Sequence, residues 1–210
     1  MTEAELFVQN YCDFSNPNWV WILTGISRNK DKTPTDSGVK FMRRMIIANP
    51  DDVLSCYEDI KKMADNPNTV YRMYISLNAR DVVNTLFNFQ KKILNVGMGL
   101  AKNQPDALEL SKKISSVWKR ELAQTNNRGT KRILLDIDDN DVEKFVCIED
   151  FVLKMDTEVI TCRKTVNGYH LIFNACDTRA LMIYCKEIGV DANLQRDSMV
   201  FVEQWRGNNA

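Results

Sequence analysis

From residue 132 onward the sequence spells an order of elements that admits few folds. "RILLDID" reads as a strand and "NDVEKFVCIEDFVLKM" as an amphipathic helix. "EVITCRKT" and "GYHLIFN" read as two strands joined by a turn at Asn167 and Gly168, "DTRALMIYCKEIG" as a second helix and "SMVFVEQW" as a closing strand. The order β-α-β-β-α-β predicts an α+β fold of ferredoxin-like, or split βαβ, type. Four antiparallel strands would carry both helices on one face and leave the other for a ligand or a second domain.

The first 130 residues read as a separate αβ module, with residues 131–210 as the second unit, the two packed together. "NPNWVWILTGISRN" is a predicted strand followed by the loop "NKDKTPTDSG". "PDDVLSCYEDIKKMAD" has Pro50 and two aspartates at its start and Val53, Leu54, Tyr57, Ile60 and Met63 at helical spacing. "TVYRMYISLNAR" predicts a strand, and two helical stretches follow, "DVVNTLFNFQKKIL" and "QPDALELSKKISSVWKREL", the latter with Pro105 near its first turn. "AQTNNRGTK" is the expected boundary loop.

Charge sets a condition on partners. The 28 basic and 28 acidic side chains cancel, so a nucleic acid would have to be held by a local basic surface or through metal ions. The acidic start "MTEAELFVQN" does not resemble a signal peptide, and no apolar run approaches the roughly 18–20 residues of a membrane helix. We expect a cytoplasmic protein with no membrane partner. Six scattered cysteines, with no C-x-x-C pair and one histidine in the chain, support neither a zinc site nor a disulfide framework.

The strand "RILLDID" runs into "DND", four aspartates within six positions. Side chains alternate across a strand, so Asp136 and Asp138 share one face while Leu135 and Ile137 point toward the helices. Two carboxylates at i and i+2 lie about 7 Å apart and can reach a hard cation, Mg²⁺ or Mn²⁺, completed by water and substrate phosphates. Asp139 and Asp141 read instead as turn and helix N-terminal residues. An EF-hand is excluded, because Asp141 stands where Gly is needed and Cys147 where Glu is needed. His170, the only histidine, lies on the face that the aspartates use. Arg163 and Lys164 precede it on the incoming strand. Together these are candidates to hold a nucleoside triphosphate, the metal on the phosphates and the cations and imidazole on phosphate oxygens.

"LLDID", followed by a hairpin carrying "KTVNGYHLIF", resembles the catalytic core of the archaeo-eukaryotic primase superfamily over residues 132–205. That resemblance implies an open RNA-recognition-like sheet with Asp136 and Asp138 as metal ligands and His170 on the triphosphate. It also implies a third acidic ligand, for which Asp197 is preferred over Glu203. The activity it implies is a metal-dependent DNA primase or polymerase, a nucleotidyltransferase that makes or extends a primer on single-stranded DNA or RNA. In that reading Asp136, Asp138, His170 and Asp197 are catalytic. Two ions would lower the pKa of the attacking 3′-hydroxyl and stabilise departing pyrophosphate. In the N-terminal module "YRMYISLNARD" offers Arg72 and Arg80, with Tyr71, Tyr74 and Asn78, for phosphate contact and base stacking. A priming role would call on a separate helicase or replication protein, and a compact gene product of this kind suits a phage or plasmid. Two rival expectations stand beside it. One is a phosphohydrolase with Asp136 as nucleophile and Asp138 as acid and base. The other is a catalytically silent module that holds nucleic acid or protein in a replication complex.

Overall fold

The computed structural model describes residues 2–28, 39–64, 66, 69–100 and 107–206. In chain order the first part contains α1 (Glu3–Tyr11), β1 (Trp19–Arg28), β2 (Val39–Ile47), α2 (Asp52–Lys62), β3 (Val70–Ser76), β4 (Arg80–Asp81), α3 (Val82–Leu100) and α4 (Ala107–Leu122). The second contains β5 (Arg132–Ile137), α5 (Val142–Leu153), β6 (Val159–Lys164), β7 (Tyr169–Asn174), α6 (Arg179–Glu187), β8 (Ala192–Gln195) and β9 (Met199–Arg206). The class is mixed α+β, with six α-helices and two antiparallel sheets among the described residues. The loop "NKDKTPTDSG" and Pro105 lie outside the described residues.

In the first sheet the strand order is β2-β1-β3-β9, with β4 also pairing β1. The second sheet runs β6-β7-β5-β8. This corrects the expectation for "SMVFVEQW", which does not close the second sheet. As β9 it pairs antiparallel with β3, from Val70 opposite Arg206 to Ser76 opposite Met199. The physical reason is burial: Val200 and Val202 are fully covered by the first sheet's core, beside Met73 and Ile75. The fourth position of the second sheet goes to β8, four residues of which two are amides. So short and polar a strand has little apolar alternation to announce it. β2 went unassigned for a related reason, since Arg43 and Arg44 interrupt its apolar run.

Strand alternation decides how the layers meet. Ile133, Leu135 and Ile137 of β5 and Tyr169, Leu171 and Phe173 of β7 pack with Phe145, Ile148 and Val152 of α5 and Leu181 and Cys185 of α6. Both helices therefore cover one face of the second sheet. On its other face Leu134 and Ile172 join the first sheet's core around Trp21, Leu23 and Ile75. Polar stitches cross this junction. The Arg132 guanidinium sits over the rings of Tyr11 and Trp21 at 4.7 and 4.9 Å and donates to the Tyr11 carbonyl at 3.2 Å. Asn78, fully buried, accepts from the Arg132 backbone N–H at 2.6 Å and donates to the Arg196 carbonyl at 3.1 Å. Buried polar groups satisfied from both sides hold the two sheets in one arrangement.

Candidate functional site

Where the polar face of the second sheet meets β1, β2, β3 and β9 there is a cleft of about 480 Å³. Asp136 and His170 are direct partners in the β5–β7 ladder, so both side chains leave the sheet on the cleft side. His170 Nε2 lies 3.2 Å from Asp136 Oδ1, and Gln195 of β8 donates to Asp136 Oδ2 at 3.3 Å. Asp138, one residue beyond the strand end, also lines the cleft and is exposed. The β6–β7 turn, closed by Thr165 N–H donating to the Gly168 carbonyl at 2.8 Å, packs against the aspartate-bearing end of β5. A Cβ on Gly168 would stand 1.9 Å from the Ile137 carbonyl oxygen, so only glycine allows the turn to approach this closely.

The opposite wall comes from the first sheet. Thr24, Arg44, Arg72, Tyr74 and Phe201 line it, and the Tyr74 and Phe201 rings meet edge to face at 5.8 Å. Among the described residues, His170 Nδ1 and Thr24 Oγ1 are buried in the cleft lining without a hydrogen-bond partner. Leaving such atoms unsatisfied costs free energy, on the order of 1–3 kcal/mol each, which a ligand able to bond them would recover.

The residues singled out from sequence divide sharply. Asp136, Asp138, His170 and Arg72 come together in the cleft. Arg163 shares the His170 face, its ladder partner, but it does not line the cleft. It donates through Nη2 to the Val202 carbonyl and lies over the Phe7 ring at 4.1 Å, and burial pulls its guanidinium pKa below the ordinary value. Lys164 is exposed and pairs in register with Tyr169, whose ring stacks on Phe145 of α5 at 4.3 Å. It therefore belongs to the helix-bearing face. Asp197 lies outside the cleft lining, where Arg80 donates to both its oxygens, Nη1 at 3.1 Å and Nη2 at 2.8 Å.

Glu203 is also engaged elsewhere. It accepts from the Tyr57 hydroxyl and pairs with Lys61 at 3.0 Å. Burial first, and then the bond to Glu203, pushes the Tyr57 phenol pKa up. Within "YRMYISLNARD" alternation makes the division: Arg72 and Tyr74 face the cleft, while Tyr71 turns to the core and stacks on Trp205 at 5.6 Å.

Sequence reasoning missed Asp191. The β5–β8 ladder pairs Ile137 with Ala192, and the next rung is closed by Asp138 N–H donating to the Asp191 carbonyl at 3.0 Å. That register sets Asp191 opposite Asp138 in the ladder; Asp191 is exposed and is not among the residues that line the cleft. Among the described residues no three His, Cys, Asp or Glu side chains gather into a group that could hold a metal unaided. Asp136 and Asp138 are hard oxygen donors of the kind Mg²⁺ and Mn²⁺ take. They fit a cation whose remaining positions are filled by water and by the phosphates of a bound substrate.

Comparison with protein-family models, with curated proteins and with solved structures finds no match to this chain. No helix among the described residues is long and apolar enough to cross a membrane.

Proposed function

We propose that the cleft binds a nucleoside triphosphate with a divalent cation and that the protein is a template-directed nucleotidyltransferase of primase-polymerase type. One observation carries the reading: Asp136, Asp138 and His170 line one wall of a cleft of about 480 Å³ whose other wall carries Arg44 and Arg72. That arrangement gives oxygen donors for a cation on one wall and cations for phosphate on the other. The strand order β6-β7-β5-β8, with α5 and α6 on one face, supports a ferredoxin-like, RNA-recognition-like core in which β8 is the fourth strand.

In this reading Asp136 and Asp138 hold Mg²⁺ or Mn²⁺, and Asp191, opposite Asp138 in the ladder, supplies the further acidic position. A cation bound there would neutralise charge on the phosphates during transfer. Gln195 and His170 hold the Asp136 carboxylate in one orientation. With Nε2 turned to Asp136, His170 leaves Nδ1, buried without a partner among the described residues, for a bond to the ligand. Arg44 and Arg72 offer charge to the triphosphate, and the Tyr74 and Phe201 rings offer an aromatic wall for a base.

The test is incorporation of labelled nucleotides on a single-stranded template with Mg²⁺ or Mn²⁺, comparing the native chain with Asp136→Asn, Asp191→Asn and His170→Ala. Product that disappears with Asp136→Asn supports the reading; its absence from the native, folded chain with every metal and template sinks it.

A second reading has its own observation. Asp197 and Glu203 are committed to Arg80 and to Tyr57 with Lys61, so neither brings a third carboxylate into the cleft. A module that holds nucleotide or nucleic acid without chemistry would need none. Binding that persists in chelator, with no incorporation and no effect of Asp191→Asn, selects it.

A further inference from the structure

The segment "KKISSVWKR" looks in the sequence like an ordinary solvated helix face. In the fold one side of it meets the edge of a sheet. β2 is the outer strand of the first sheet, and beside it α4 presents Lys112, Ser115, Ser116, Lys119 and Arg120, residues spaced at three and four along a single helical face. Between them lies an open groove of about 730 Å³, to which β2 adds Arg43 and Arg44. Among the described residues, five cations and three serine hydroxyls line it, counting Ser111, and none of the lining residues is acidic. In a chain whose 28 basic and 28 acidic side chains cancel, this is a local concentration of positive charge.

Its position gives it direction. Met42 and Arg44 line both this groove and the cleft that holds Asp136 and His170, so the two spaces adjoin at β2. The cleft lining adds the Tyr74 and Phe201 rings to the cations Arg44 and Arg72. The α4 face stays in place because its other side is anchored. Trp118 meets Phe89 edge to face at 5.3 Å, and Leu122 is buried against Val20 and Ile22 of β1.

We infer that the groove between β2 and α4 is the track for a single strand of nucleic acid, carrying its sugar-phosphate backbone toward the cleft. The inference rests on the template-directed reading above and names where the strand lies. Cations and hydroxyls suit phosphates read without sequence. The aromatic pair in the cleft suits an unstacked base. A duplex offers no such base, so the preferred occupant is single-stranded.

The experiment measures binding of a labelled oligothymidylate of about twenty nucleotides to the full chain in chelator, so that catalysis plays no part. Lys112→Ala/Lys119→Ala/Arg120→Ala is compared with Lys113→Ala/Lys154→Ala/Lys186→Ala, which removes the same charge from exposed positions outside the groove. The groove variant is expected to bind at least about tenfold more weakly. The slope of log affinity against log salt should fall by about 2, from roughly 0.7 per lost phosphate contact on a single strand. The control should stay within about twofold of the native chain. The single reversal Lys119→Glu, at one exposed position, provides a minimal disturbance and should weaken binding in the same direction.

Groove variants that bind as the native chain does, a control that weakens binding equally, or a native chain that binds no oligothymidylate each overturn the inference. The catalytic reading is scored separately. Asp136→Asn that abolishes incorporation while binding the oligonucleotide normally leaves both standing. Groove-dependent binding without incorporation in the native chain keeps the track and removes the chemistry.

Discussion

Two carboxylates that the sequence nominated for the same job, Asp136 and Asp197, stand in opposite circumstances. Asp197 is 11 % exposed and Arg80 4 %, and the guanidinium donates to both carboxylate oxygens. Its charge is matched and its acceptor sites are largely used. Asp136 is 30 % exposed. Its contacts are longer, 3.2 Å to His170 and 3.3 Å to Gln195, and it faces a cleft. A saturated bidentate pair holds chain segments together, whereas a carboxylate with spare acceptor capacity beside an opening can take a ligand. The same residue type is a staple in one place and a candidate ligand in the other.

The largest expected effect is at the staple. Arg80→Ala leaves Asp197 buried with no counter-charge and should lower stability by about 3–5 kcal/mol, a large part of what a domain has in total. Denaturant unfolding followed by circular dichroism measures it. Replacing both partners, Arg80→Met with Asp197→Leu, should restore most of the loss, because the cost lies mainly in stranding one charge. The comparison breaks if Asp197→Ala leaves the midpoint where it was and removes nucleotide incorporation. That would move Asp197 from staple to site.

At the cleft the order of effects reverses. Asp136→Asn keeps the shape and removes the charge, and should cost incorporation about 100-fold or more, equivalent to about 2.7 kcal/mol in the barrier. Stability should change by less than about 1 kcal/mol, since the carboxylate is part-exposed and not bidentately paired. A loss of stability comparable to that of Arg80→Ala would show that Asp136 is a second staple.

What could be read from the sequence follows from the range of the forces. Alternation along one strand depends on local geometry, which is why Leu135 and Ile137 were expected among the helices and Asp136 and His170 on the opposite face, as they are. Helices α2 to α6 announced themselves by periodic apolar residues in the same way. Sheet membership is not local. Val200 and Val202 alternate as a strand of either sheet would, and only the packed molecule shows that it is the core beside β3 that buries them. The Arg80–Asp197 pair spans 117 positions, and nothing near either residue signals it. Arg163 and Lys164 were grouped with His170 by closeness in sequence. Their third-dimensional neighbours, Val202 for one and the helix-bearing face for the other, took them elsewhere.

Gly168 tests whether the cleft depends on a close backbone approach. Gly168→Ala forces a Cβ into the Ile137 carbonyl, backbone against backbone, so the β6–β7 turn or the end of β5 has to move. The expected stability loss is about 1–3 kcal/mol. Because the displaced strand end carries Asp136 and Asp138, incorporation should fall further than stability alone explains. A variant destabilised but normally active when assayed well below its melting temperature would mean that the turn supports the fold and not the placement of the carboxylates.

The smallest effect comes from the other two aspartates of the cluster, and it completes the contrast with Asp136. Asp141 is the N-cap of α5, its carboxylate accepting from the backbone N–H groups of Glu143 and Lys144 at 2.9 and 3.3 Å. Asp139 accepts from the Asp141 N–H at 2.9 Å and from Lys144 Nζ at 3.0 Å. The backbone bond first, and then the lysine, hold its carboxyl pKa below the ordinary value. A carboxyl depressed in the folded state contributes support that is complete above its unfolded pKa and is lost as pH falls through the folded value. The first turn of α5 should therefore keep this support at neutral pH and lose it only in acid. Asp141→Ala should cost about 1 kcal/mol, the usual value of an N-cap, and leave incorporation unchanged. Thermal unfolding and the incorporation assay on the same preparation separate the two. An activity loss on the scale of Asp136→Asn would mean that all four aspartates serve the cleft, and the division between capping and ligand carboxylates would have to be redrawn.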